Sequence, residues 1–166
     1  MLYSTADAWR AAPNKRVMVF GMSGLGKTHM STILRDTGDW FHYSIDYRIG
    51  TRYMGEYIVN SCIKAAMDHP YLREMLRQDA IYLAPNVHTH DLGAVSTYLG
   101  KPGNHDLGGL SFDEYTMRQD QFRAAEIAAL NDTSYFAERG QTLYDYPHFI
   151  CDTGGSICEW VEADDD

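Results

Sequence analysis

The sequence predicts an α/β fold built on a parallel sheet, and three observations lead there. Residues 17–20, Val-Met-Val-Phe, are continuously apolar, as a strand buried on both faces of such a sheet should be. Residues 27–36 carry Met30, Ile33 and Leu34 at helical spacing, and Gly38 supplies a stop. Residues 40–46, WFHYSID, alternate: Phe41, Tyr43 and Ile45 fall on one side, His42 and Ser44 on the other, and Asp46 ends the strand. Strand, glycine loop, helix and strand over 17–46 form one βαβ unit.

The remaining elements follow in order. Residues 1–16 read as a short leader with one helical turn around 6–11, closed by Pro13. Residues 53–79 are helical in two pieces, broken near Asp68–Pro70. Residues 84–110 read as loop, with Pro85, Pro102 and five glycines. Ser111 with Glu114 three residues later is a capping box, so a long helix starts there. A shorter helix is expected over 134–139, stopped by Gly140, and HFICD (148–152) is a third strand entering the turn TGGS. The whole is expected to be a single domain, 1–166, with a mostly helical insertion over 53–147. HDLGAVS (90–96) and HDLGGLS (105–111) echo each other and read as two similar turns.

Composition narrows the functional classes. A chain of 166 residues, 45% hydrophobic and 22% charged, is long enough to bury one core. Formal net charge is −9, and five of the acidic residues lie in the last eight positions, so the body is mildly acidic. General nucleic-acid binding needs a basic surface and is not expected. Cys62, Cys151 and Cys158 have no metal-ligand spacing and read as reduced thiols of a cytoplasmic protein. The first 16 residues contain no apolar core, and no window approaches 18 apolar residues. Neither a secretory signal nor a membrane span is expected.

The chemistry concentrates in GMSGLGKT, residues 21–28. Backbone amides converge on a phosphate only where side chains are absent, hence Gly21, Gly24 and Gly26. The helix that follows offers free amides and the positive end of its dipole. Gly21, Gly26, Lys27 and Thr28 meet the pattern G-x-x-x-x-G-K-[ST], and the expected contacts are Gly21, Met22, Ser23, Gly24, Leu25, Gly26, Lys27, Thr28 and His29. This stretch resembles the Walker A loop of P-loop NTPases, so the fold expectation sharpens to a P-loop NTPase core. The resemblance implies ATP and Mg²⁺ as cofactors, with Lys27 on the β- and γ-phosphates and Thr28 on the metal.

Asp152 ends the apolar strand HFICD. By the same resemblance it is the Walker B acid that helps Thr28 hold Mg²⁺; the plainer alternative is an Asx turn in DTGG. Asp46, followed by Arg48 and Arg52, is similar to the pattern of small-molecule kinases of the shikimate-kinase and nucleotide-kinase type. The likeness implies that Asp46 orients or deprotonates an acceptor hydroxyl while Arg48 and Arg52 grip its anionic part. The alternative is a capping Asp beside two solvated arginines. Candidate catalytic residues are thus Lys27, Asp46 and Asp152. The sequence is also similar to bacterial proteins labelled ATPase, over GMSGLGKT and CDTGGSICE. Such kinases form a five-stranded sheet with an arginine-bearing lid, whereas three strands are visible here, so the chain reads as an N-terminal part of a longer protein.

Weaker signals lead elsewhere. GNHD (103–106) matches a fragment of a binuclear-metal phosphoesterase pattern, but the accompanying D-x-H and G-D-x-x-D are missing. His88, His90 and His105 read as polar loop residues, and the 12 tyrosines as core and interface material. The function expected is phosphoryl transfer from Mg²⁺-ATP to a small molecule. The alternative is an ATPase driven by a protein partner.

Overall fold

A computed structural model describes residues 3–89 and 91–155. The chain divides into two compact units, Met1–Ile45 with Ala129–Asp166, and Asp46–Ala128.

The first unit is α/β. Helix α1 (Ala6–Ala11) is capped by Thr5, whose hydroxyl accepts from the Ala8 amide. Strands β1 (Arg16–Val19) and β2 (Trp40–Ser44) are joined through helix α2 (Lys27–Asp36). Gly38, at φ 88°, ends α2 in the left-handed conformation that glycine adopts without strain. In the second unit, helix α3 (Ile45–Arg48), which begins at the last residue of the first unit, runs into a π-helical turn, Ile49–Tyr53. Helices α4 (Gly55–Ala66) and α5 (Pro70–Arg77) follow, with Pro70 opening α5. Helix α6 (Gly93–Leu99) and a 3₁₀ turn, His105–Leu107, precede the long helix α7 (Phe112–Asn131), whose last residues belong to the first unit. Helix α8 (Thr133–Thr142) and strand β3 (His148–Asp152) complete the first unit's described elements.

Among the described residues the sheet has three parallel strands in the order β1-β3-β2. Val19, Asp152 and Ser44 are aligned across their carboxyl ends. One face carries Phe41, Tyr43 and Phe149; Phe149 stacks on Phe41 and on Tyr43, and those two stack on Phe136 of α8, with Tyr43 and Phe136 centroids 4.7 Å apart. Tyr43 also donates to the Ala129 carbonyl at 2.7 Å. Helix α2 packs on β2 and β3 as well. At the opposite end of the strands Trp9 of α1 lies against Trp40, centroids 6.4 Å apart.

Several expectations are corrected. β1 is not buried on both faces: Met18 is 47% exposed, and Phe20 just beyond the strand 70%. Among the described residues it is an edge strand, bonded on one side only, and β3 takes the buried central place. The second strand ends at Ser44, so Asp46 lies in the first turn of α3 instead of closing a strand. Gly140 does not stop the last helix. It lies inside α8, where a Cβ would come within 2.8 Å of Phe41 Cγ, so its missing side chain makes room for the aromatic stack. Residues 84–110 are not all loop, because Val95 and Tyr98, one helical turn apart, bury the inner side of α6. The two HDLG echoes also differ. Asp91 Oδ1 accepts from the Gly93 amide and the chain enters α6, whereas the second copy forms the 3₁₀ turn capped by Asn104. His90 lies outside the described residues.

The capping box is half formed. Ser111 Oγ accepts from the Glu114 amide at 3.2 Å, but the Glu114 carboxylate accepts from Arg118. No described helix is long and apolar enough to cross a membrane.

Candidate functional site

The candidate site lies at the carboxyl ends of the strands in the first unit, where ligands of open α/β sheets bind. β1 leads into Gly21–Gly26, and three backbone positions there need glycine: φ is 148° at Gly21, 84° at Gly24 and 82° at Gly26. Gly26 is the N-cap of α2 and has no side-chain oxygen to offer, so the first amides of the helix receive no side-chain cap. The Lys27 ammonium folds back across the loop, donating to the carbonyls of Gly21 at 2.6 Å and Met22 at 3.0 Å. A left-handed glycine turn, an uncapped ten-residue helix and an ammonium group together give donors and a positive field suited to an anion.

Asp152 supplies the opposite charge. Its side chain is 3% exposed, and His42 Nε2 donates to Oδ1 at 3.0 Å. Burial pushes the carboxyl upward, but the His42 hydrogen bond and the nearby Thr28 and Ser44 hydroxyls outweigh it and hold the group below its ordinary value of 3.8. The structure thus brings together Thr28 and Asp152, two residues expected to share a metal. In the donor set, hydroxyl and carboxylate oxygens suit a hard cation such as Mg²⁺, which is bound through one or two carboxylates plus phosphate. The plain Asx-turn account of Asp152 leaves the His42 bond unexplained.

The second glycine turn closes onto the first. Thr153 donates from its amide and its hydroxyl to the Val19 carbonyl, at 3.0 and 3.2 Å. Gly155 lies so close to the loop that a Cβ would sit 2.8 Å from the Ser23 nitrogen. Sequence reasoning missed His42, Ser44, Thr153 and Gly155 as site residues. The signal for the first two was present in the alternation of WFHYS, which puts both polar residues on one face. It becomes informative only once β2 is known to lie beside β3 with Ser44 opposite Asp152.

The remaining candidates lie in the second unit. Asp46 occupies the first turn of α3, Arg48 ends that helix with its guanidinium 5.5 Å from the Tyr53 ring centre, and Arg52 is exposed in the π-helical turn. His29, in the first turn of α2, and Met22, Ser23 and Leu25 of the loop are exposed. Among the described residues no group of three or more His, Cys, Asp or Glu side chains forms a metal cluster, and GNHD is part of a turn capped by Asn104.

Comparison with protein-family models, with curated proteins and with solved structures found no match. Fold and site define the chain as an α/β protein with a glycine loop beside a buried carboxylate.

Proposed function

We propose that the chain binds Mg²⁺-ATP at the Gly21–Thr28 loop and transfers the terminal phosphoryl group to a small-molecule acceptor. One observation carries this reading. The uncapped start of α2, the left-handed Gly26 and the Lys27 ammonium lie on the same short segment as Thr28, whose hydroxyl lies near enough to the buried Asp152 to lower its pKa. A purely structural turn needs none of these charges.

ATP supplies the phosphoryl group, and Mg²⁺ offsets the charge on its phosphates. Lys27 and the loop amides would hold the β- and γ-phosphates, and Thr28 and Asp152 would hold the metal. His42 fixes the orientation of the Asp152 carboxylate through its hydrogen bond, with the Ser44 hydroxyl nearby. Asp46 would orient or deprotonate the acceptor hydroxyl, and Arg48 and Arg52 would bind its anionic part.

A second reading, a partner-driven ATPase, is favoured by the loop's own surface. Phe20, Met22 and Leu25 are 70%, 63% and 72% exposed, an apolar rim suited to a protein surface. Calorimetry with ATP, with and without Mg²⁺, tests the shared claim. Tighter binding with Mg²⁺ is expected, and no nucleotide binding by a folded sample would refute it. Hydrolysis independent of any small acceptor would favour the ATPase.

A further inference from the structure

Helix α7 is covered unevenly. Its buried residues, Ala125, Glu126 and Ala129, lie toward its carboxyl end, and none of residues 112–124 is buried. Over that stretch it touches α6 through Gln121, which accepts from the Tyr98 hydroxyl at 2.7 Å, and through Arg118 on the Tyr98 ring. Tyr57 of α4 and another part of α7 line an open groove of about 620 Å³, with Phe112, Asp113, Met117, Asp120 and Ala124 along it. Phe112 is 74% exposed, Met117 47% and Tyr57 44%. Helices are held mainly by packing an apolar face, and contiguous exposed apolar groups rimmed by polar ones mark interaction sites.

The charge of the groove selects what covers it. Among the described residues lining it, Asp113 and Asp120 carry the only charges, and neither is in an ion pair with a described residue. Seven residues apart, they share one side of the helix, two turns and about 10.5 Å from each other.

We infer that this groove docks a basic amphipathic helix of a partner protein, which sets Lys or Arg residues seven apart beside apolar residues. The cations meet Asp113 and Asp120, and the apolar residues cover Phe112, Met117 and Tyr57. A helix returns to the same face every seven residues, so it reaches both carboxylates at once. In an extended chain the same distance spans about three residues, whose side chains point to opposite faces. The groove lies wholly in the second unit, so the inference stands apart from the nucleotide reading.

The full chain, without nucleotide, is titrated by fluorescence anisotropy with a labelled, end-capped peptide of two Lys-Gln-Ala-Leu-Leu-Gln-Ala repeats, and with the same peptide carrying glutamate for lysine. The lysine peptide should bind at least about tenfold more tightly than the glutamate peptide. Phe112→Ser should weaken it about tenfold, and Asp113→Asn with Asp120→Asn about fivefold. These positions are exposed, so the circular dichroism spectrum should be retained. Asp7→Asn with Asp36→Asn, which removes the same charge from exposed sites of the first unit, should change affinity by less than about twofold. No binding of the lysine peptide up to about 1 mM, equal affinity for both peptides, or a loss in the groove pair no larger than in the control pair would each overturn the inference. Sedimentation tests the other occupant: a native chain that self-associates, and that Phe112→Ser makes monomeric, would assign the groove to a second copy and overturn the partner helix.

Discussion

Replacing Lys27 by alanine removes the one ammonium that crosses the glycine loop. Under the proposed function it should weaken ATP binding by about 1.5–3 kcal/mol, roughly 10- to 150-fold, as read by calorimetry. Asp152 should show itself in acid. Its folded pKa is depressed, so its contribution to stability is complete above the ordinary value of 3.8 and is lost as pH falls through the folded value. Urea midpoints measured downward from pH 5 should therefore fall more steeply for the native chain than for Asp152→Asn, which has no carboxyl to protonate. Asp46 separates the two functional readings. A helix-start role predicts that Asp46→Asn costs at most about 1 kcal/mol of stability and leaves turnover intact. An acceptor-orienting role predicts unchanged ATP affinity and a turnover loss of about 10²–10⁴-fold. Measuring both quantities on one variant decides between them.

At the scale of elements, two glycines matter for what they admit. Gly140 lets α8 approach β2, and Gly140→Ala would place a methyl 2.8 Å from Phe41 Cγ. Helix propensity alone would make that change favourable by about 1 kcal/mol. Overpacking against the aromatic stack should reverse the sign and destabilise by about 1–3 kcal/mol in chemical denaturation. Gly155 plays the same part between the two glycine turns, where the clash would be with the Ser23 backbone and cannot be relieved by a rotamer change. Its substitution is therefore directed at the loop's shape. The edge strand β1 places Met18 partly in solvent although its sequence reads as a buried run, because nothing among the described residues pairs with its outer side.

For the molecule as a whole, the thiols report on folding. Cys151 is fully buried in the first unit, and burial with the neighbouring Asp152 charge pushes its thiol up to about 12. It should resist alkylation until the first unit opens, while exposed Cys62 reacts in the native state. If the nucleotide reading holds, Mg²⁺-ATP at 100 times its Kd should slow Cys151 labelling by up to about 100-fold, the factor expected for a ligand bound only by the folded form. An unchanged Cys151 rate at saturating nucleotide would count against binding to that unit.

Local signals determined what the sequence alone could determine. The βαβ start, the stop at Gly38, the break before Pro70, the helix beginning after Ser111 and the strand HFICD rest on periodicity, capping and ring constraints, which act within a few residues. GMSGLGKT was legible for the same reason, since its glycines, lysine and threonine are contiguous. Tertiary structure decided which strand is central, that Gly140 serves packing, that α6 forms from a glycine-rich segment, and that His42 and Ser44 converge on Asp152. These depend on contacts between residues far apart in the chain, His42 and Asp152 being 110 positions apart. Alternation assigns a residue to a face, but only the neighbouring strand determines what that face meets.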